Sequence, residues 1–213
     1  MKLLTVVGAR PQFVKAAALS RALDRIEGIE ELILHTGQHF DSNMSEVFFE
    51  EMQIPKPAFN LAINSLGHGA MTGRMLEEIE KLILSEKPDM VLVYGDTNST
   101  IAGALAAKKL HVAVGHVEAG LRSFNMAMPE EVNRILTDRI SDHLFCPTDT
   151  AINNLKKEGY DNIDCHVHRT GDVMQDAAIY YAQFVEEKSS VLRDHSITDA
   201  IALVTIHRAE NTD

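Results

Sequence analysis

The sequence predicts an α/β fold, a Rossmann-like parallel sheet with helices on both faces. Three observations predict it. Short β-rich runs alternate with longer helical runs along the 213 residues. The strand candidates are nearly continuously apolar, as in Val91-Leu92-Val93-Tyr94, the pattern of strands covered on both faces. Polar loops follow several of these strands, which is where such folds build their sites.

The first strand is expected over Lys2–Val7. The helix after it, Pro11–Ile26, puts Phe13, Val14, Ala17, Ala18, Leu19, Ala22 and Leu23 on or near one face, and Pro11 suits a first helical position. A second strand is expected at Glu31–His35. His68–Leu84 repeats the helical spacing through Met71, Met75, Leu76, Ile79, Leu82 and Ile83. Met90–Tyr94 is the next strand. The Ala- and Gly-rich helix Asn98–Lys108 behind it has side chains small enough to lie close to a sheet. Further strands are expected at Val112–Val117, His143–Cys146 and Ile163–Arg169, with helices at Glu130–Ile140, Asp149–Lys157 and Asp172–Glu187. The first domain is expected to span residues 1–185, with a polar connection over 186–199. Ala200–Thr205 reads as a buried strand with a loop running on to Asp213. A lone strand forms no core, so it either joins the first sheet or begins the next part of a longer protein.

Composition narrows the function classes. Apolar residues make up 45% and charged residues 24%, an ordinary globular balance. The net charge of −11 argues against nucleic acid and anionic membranes as partners, so an anionic ligand would require locally concentrated cations. Cys146 and Cys165 lack a CxxC spacing and form no disulfide framework, which fits a reducing cytoplasm. The first strand is too short for a signal-peptide core, and no apolar run approaches membrane-spanning length.

The chemistry is concentrated at strand ends. Gly8-Ala-Arg-Pro-Gln12 joins the first strand to the first helix. A helix start with Arg10 and Lys15 nearby is either a phosphate site or a plain turn carrying two cations. It matches neither GxGxxG nor GxxxxGK[ST]. Gly95-Asp96-Thr97-Asn98 follows an apolar strand, so Asp96 is either a helix cap or a site residue. His116 and Glu118 share one side of a strand whose faces should both be covered, which places them at its end or in a buried polar network. Pro129-Glu130-Glu131 reads as a helix start, with Asn133 and Arg134 one turn on. Three carboxylates, Asp96, Glu118 and Glu130 (or its neighbour Glu131), at such positions suggest proton transfer. His35 and His39 flank a Gly in a loop without a supporting Cys or carboxylate cluster, which argues against metal; Gln38 and His39 are candidates for lining the cleft. His166 and His168 read as structural or surface residues. His207 suits phosphate donation or proton shuttling.

Together these motifs resemble the non-hydrolysing UDP-N-acetylglucosamine 2-epimerase family. They are Gly8-Ala-Arg-Pro-Gln12 with Lys15, Thr36-Gly-Gln-His39, Gly95-Asp-Thr-Asn-Ser99, His116-Val-Glu-Ala-Gly-Leu-Arg122, Pro129-Glu-Glu131 with Asn133-Arg134, and Ile206-His-Arg208. The resemblance implies a glycosyltransferase-B-like architecture of two Rossmann-like domains with the site between them. Residues 200–213 would then be the first strand and loop of a second domain. It implies epimerisation at C2 of a UDP-N-acetylhexosamine by elimination and re-addition of UDP, in the supply of surface-polysaccharide precursors. It also implies a homodimer with no cofactor and no metal. Asp96, Glu118, Glu130 and His207 fall on catalytic positions. Arg10, Lys15, Gln38, His39, Arg122 and Arg134 are the expected substrate-binding residues. Ala9, Gln12 and the loop Ser123–Met128 depart from the commonest pattern and resemble the branch that acts on UDP-2,3-diacetamido-2,3-dideoxyglucuronate. On its own the 213-residue chain is expected to bind nucleotide sugar poorly and to turn over negligibly.

Overall fold

The computed structural model describes residues 1–38, 46–185, 189–198, 200–202 and 204. Its elements run β1 (Lys2–Val7), α1 (Arg10–Leu23), β2 (Glu30–His35), α2 (Glu46–Glu51), β3 (Phe59–Asn60), α3 (His68–Glu86), β4 (Met90–Tyr94) and α4 (Asn98–Lys109). They continue with β5 (Ala113–Val117), α5 (Pro129–Ile140), β6 (His143–Cys146), α6 (Asp149–Lys157), a 3-10 turn at Tyr160–Asn162, β7 (His166–Arg169), α7 (Val173–Ala182) and α8 (Val191–Asp194). The described strands form one sheet in the order β3-β2-β1-β4-β5-β6-β7, and every pairing is parallel. The order reverses between β1 and β4, which makes their carboxyl ends the topological switch point.

Alternate residues of each central strand face opposite layers, so both layers demand apolar side chains. On one face Leu4, Val6, Val91, Val93 and Val114 pack beneath Met71, Met75, Ile79 and Ile83 of α3 and the alanines of α4. A Cβ on Gly103 would stand 3.0 Å from Val93 Cγ1, so α4 does lie close against the sheet, as its composition predicts. On the other face Phe13, Ala16 and Ala17 of α1 cover Leu3, Val7, Ile33, Leu92 and Tyr94. A third cluster joins Ala151 and Leu155 of α6 to Leu144, Cys146 and Ala119.

The expected α/β architecture is present, with four differences. The two-residue strand β3 and the short helix α2 are additions. The strand expected at Ile163–Arg169 begins only at His166, because the 3-10 turn bonds Ile163 N–H back to the Tyr160 carbonyl. The helix expected over Asp172–Glu187 runs Val173–Ala182, and residues 186 and 187 lie outside the described residues. Of the strand expected at Ala200–Thr205, residues 200–202 and 204 are not in a strand, Ile201 and Val204 are exposed, and residues 203 and 205 lie outside the described residues. The chain divides into two compact units, Met1–Ala177 and Ala178–Asp213. The first holds the sheet. The second holds α8 and leaves Val185, Val191 and Leu192 exposed. Among the described residues no helix is long and apolar enough to cross a membrane.

Candidate active site

Gln12 ties the first loop to the fourth strand. Its Oε1 accepts from the N–H of Gly8 (2.8 Å) and Ala9 (3.0 Å), and its Nε2 donates to the Tyr94 carbonyl (2.8 Å) and to the hydroxyls of Thr97 and Thr100 (both 3.0 Å). Ala9, the residue before α1, has no side-chain acceptor, so Gln12 reaches back to do the capping. Those two N–H groups are therefore occupied, and Arg10 stands exposed at the helix start. A Cβ on Gly8 would fall 2.1 Å from Thr36 Oγ1 and 2.2 Å from Ser99 Oγ, so only glycine lets the three loops meet. Ser99 Oγ in turn donates to Gln38 Oε1 at 3.0 Å, which places Gln38 beside that junction.

Asp96 follows β4 through Gly95, whose φ of +62° makes the exit turn. The cap of α4 is Thr97, which accepts from Thr100 N–H at 3.4 Å. Asp96 is thereby excused from capping; its Oδ2 is paired with Arg134 of α5, and its carbonyl accepts from Asn133 Nδ2 at 2.9 Å. Glu118 lies just beyond β5 at φ +72°, a left-handed conformation costly for a residue with a side chain. Its Oε2 is paired with Lys15, whose side chain is only 8% exposed. The two pairs lie close together: a Cβ on Gly95, the residue before Asp96, would sit 3.3 Å from both Lys15 Nζ and Glu118 Oε2. The switch point therefore brings together Asp96, Glu118, Lys15, Arg134 and Gln38.

Other expected residues stand outside these two pairs. Glu130 is exposed on the first turn of α5. Its neighbour Glu131 is buried and accepts from the N–H of Ser123 (2.9 Å) and Phe124 (2.9 Å) and from Arg134 NH1 (2.9 Å), so it fixes the loop before the helix. Arg122 is not brought to the paired carboxylates. Its guanidinium donates to Glu158 (2.7 and 2.8 Å), Asp138 (2.7 Å) and the Leu121 carbonyl (2.7 Å), and its side chain is 1% exposed. His39 and His207 lie outside the described residues. Asp138, which the sequence reading passed over, is the buried hub of this region.

The Glu131 carboxyl has a pH signature. Burial acts to raise it, but the Ser123 and Phe124 N–H groups and Arg134 outweigh burial and hold it below its ordinary value near 4.5. A lowered folded pKa means its stabilisation is complete above that ordinary value and is lost as pH falls through the folded one. Glu131→Gln is therefore expected to lower unfolding stability by about 1–3 kcal/mol at neutral pH. The difference from the parent should shrink as the pH falls from neutral to below that ordinary value. Urea titrations at both pH values check this; a deficit independent of pH would refute it.

A parallel α/β sheet with cation-paired carboxylates beyond its strand ends is the framework of a Rossmann-like domain. The profile of the UDP-N-acetylglucosamine 2-epimerase family matches residues 21–213, and the chain belongs to that family. It is 59% identical over 213 residues to the UDP-2,3-diacetamido-2,3-dideoxy-D-glucuronate 2-epimerase of Pseudomonas aeruginosa, an alignment covering 100% of this chain and 59% of that protein. It is 48% identical over 216 residues to the UDP-N-acetylglucosamine 2-epimerase of Methanocaldococcus jannaschii, covering 100% of this chain and 58% of that protein. The crystal structure of the M. jannaschii enzyme in complex with UDP-GlcNAc and UDP superposes with a TM-score of 0.92 at 48% identity, covering 99% of this chain and 58% of that one. The Neisseria meningitidis UDP-GlcNAc 2-epimerase bound to UDP-GlcNAc gives 0.83 at 32% identity, covering 92% and 53%. The chain thus spans somewhat under three-fifths of the length of these relatives.

Proposed function

We propose that this chain supplies the sugar-handling half of a non-hydrolysing 2-epimerase acting on a UDP-N-acetylhexosamine, of the UDP-GlcNAc to UDP-ManNAc type. The observation that carries the reading is the meeting of Asp96 and Glu118, each paired with a cation, at the switch point. The C2 proton of such a sugar is not flanked by a carbonyl, so simple deprotonation is slow. Departure of UDP from C1 gives that carbon positive character and acidifies the C2–H. In elimination a base takes the C2 proton, the C1–O bond breaks, and UDP leaves with the electron pair to give a 2-acetamidoglucal. In return a proton is delivered to C2 from the opposite face and the UDP oxygen re-forms the bond to C1. Asp96, Glu118 and Glu130 are assigned to proton transfer or its orientation. Arg10, Lys15 and His207 are assigned to the departing diphosphate. Gln38, His39 and Arg134 line the sugar-nucleotide site, while Arg122 holds the Glu118 loop. No nicotinamide or metal enters these steps.

The site is read as one wall of a cleft in a two-domain, glycosyltransferase-B-like protein. Residues 186–199 would connect the domains, and 200–213 would open the second. A homodimer in the cytoplasm, supplying precursors for surface polysaccharides, completes the reading. The test is product analysis in deuterated water with the full-length encoded protein. Deuterium should enter C2 of both UDP-sugar epimers. Free N-acetylmannosamine with UDP would indicate hydrolysis instead, and a product without C2 label would end the proposal. The 59% identity to the P. aeruginosa protein favours a second substrate, UDP-2,3-diacetamido-2,3-dideoxyglucuronate, with the same C2 chemistry. Comparing kcat/KM for the two UDP-sugars decides between them.

A further inference from the structure

His116 and Asp138 form a buried pair that touches both halves of the site without reaching its surface. Both side chains are 0% exposed. His116 Nδ1 lies 2.7 Å from Asp138 Oδ1, and its Nε2 lies 2.7 Å from the Gly95 carbonyl oxygen. A carbonyl only accepts, so Nε2 carries a hydrogen and donates to Gly95, the residue that precedes Asp96. Asp138 Oδ2 accepts from Gly120 N–H (3.1 Å) and from Arg122 NH1 (2.7 Å). One carboxylate therefore holds the imidazole behind the Asp96 turn and also the backbone two residues beyond Glu118.

The contacts around Glu118 show why such a hub is required. Its left-handed φ stores strain, which persists only where neighbours over-determine the backbone. Glu118 and Ala119 N–H both reach the Phe145 carbonyl (3.1 Å each), Asn154 Nδ2 donates to the Gly120 carbonyl (3.0 Å), and Asp138 takes Gly120 N–H. On the other side Gly95, at positive φ, is held by its own N–H to the Val117 carbonyl (3.0 Å) and by His116 at its carbonyl.

We propose that His116 and Asp138 are positioning residues for the reaction: His116 sets the Gly95 carbonyl, and through it the direction of Asp96, while Asp138 orients the imidazole and pins the Glu118 loop. The assignment of a reaction to Asp96 rests on the reading above; the geometric part does not. Displacing a catalytic group by about an ångström costs on the order of 100-fold in rate, so loss of the pair should act on kcat more than on KM.

Three variants test this. His116→Leu removes the donor, His116→Gln restores an N–H, and Asp138→Asn keeps shape while altering the partner of Nδ1. In the isotope-labelled chain, a protonated, slowly exchanging Nε2 is expected for His116. The Asp96 carboxyl carbon resonance should move in His116→Leu and return towards the parent in His116→Gln. In the full-length encoded protein kcat should fall about 10–100-fold in His116→Leu with KM little changed, and recover in part in His116→Gln. If His116→Leu does not fold, Asp138→Asn supplies the loss arm of both measurements. An unprotonated Nε2, or an unmoved Asp96 resonance in a folded loss variant, overturns the positioning. Resonances that behave as expected in a parent showing no C2 exchange would leave the positioning standing and sink the epimerase reading instead.

Discussion

Replacing Asp96 by Asn, or Glu118 by Gln, is expected to cut C2 exchange by the full-length encoded protein by ~10²–10⁴-fold, the contribution of one general acid or base. The amides keep the size of the acids and retain an oxygen that accepts from Arg134 or Lys15, so the turns that carry them should survive. What they lose is the ability to take a proton. The two variants should nevertheless differ in stability. Arg134 keeps a second carboxylate, Glu131, when Asp96 is neutralised. Lys15 loses the carboxylate with which it pairs while remaining almost fully buried. A buried cation stripped of its counter-charge is costly, so Glu118→Gln should melt below Asp96→Asn. Single-turnover rates and thermal midpoints of the two proteins check both statements. Near-parental turnover in both amides would remove these residues from the chemistry.

Gly120→Ala should be strongly destabilising. Gly120 has φ +77°, and an added Cβ would lie 2.6 Å from the backbone oxygen of Ala151 and 3.0 Å from its carbonyl carbon. Backbone atoms cannot swing aside as a side chain can. Overpacking and left-handed strain together should cost about 3 kcal/mol. For a chain of this size that lowers Tm by roughly 6–12 °C. Gly159→Ala is the internal control: its φ is +81°, but nothing lies within 4 Å of the added carbon. It should cost only the strain, about 1 kcal/mol. Urea unfolding of the pair separates the two contributions. Equal losses would show that the Ala151 clash is relieved by a shift of α6.

Much of this was legible in the sequence because buried parallel strands leave a plain mark. Val91–Tyr94 is apolar on both faces and Leu3–Val7 is so except at Thr5, and the polar residues that follow them sit where the switch point falls. Local pattern allows Asp96, Thr97 or Asn98 as the cap of α4, and only the folded chain shows that the cap is Thr97. β3 was not legible, since two residues carry no periodicity. The pairing of Lys15 with Glu118 across 103 positions leaves no local trace either. Asp138 was missed for a different reason. The inward residues of α5 are Glu131, Thr137 and Asp138, whereas Leu136 is exposed. Its buried face is polar, so apolar spacing marks the wrong side. The available signal was Glu131 and Asp138 seven positions apart on one side, with Arg134 between them.

The span of these contacts has a consequence during synthesis. A nascent chain emerges from the ribosome amino end first, and domains fold as their parts become available. Lys15 emerges long before Glu118, and Arg122 waits a further 36 positions for Glu158. A translation intermediate halted before α6 would therefore carry Glu118 on a loop lacking Asn154 and Glu158, two of the groups that secure it. The backbone that carries Glu118 is thus secured only after the sixth helix has cleared the exit tunnel.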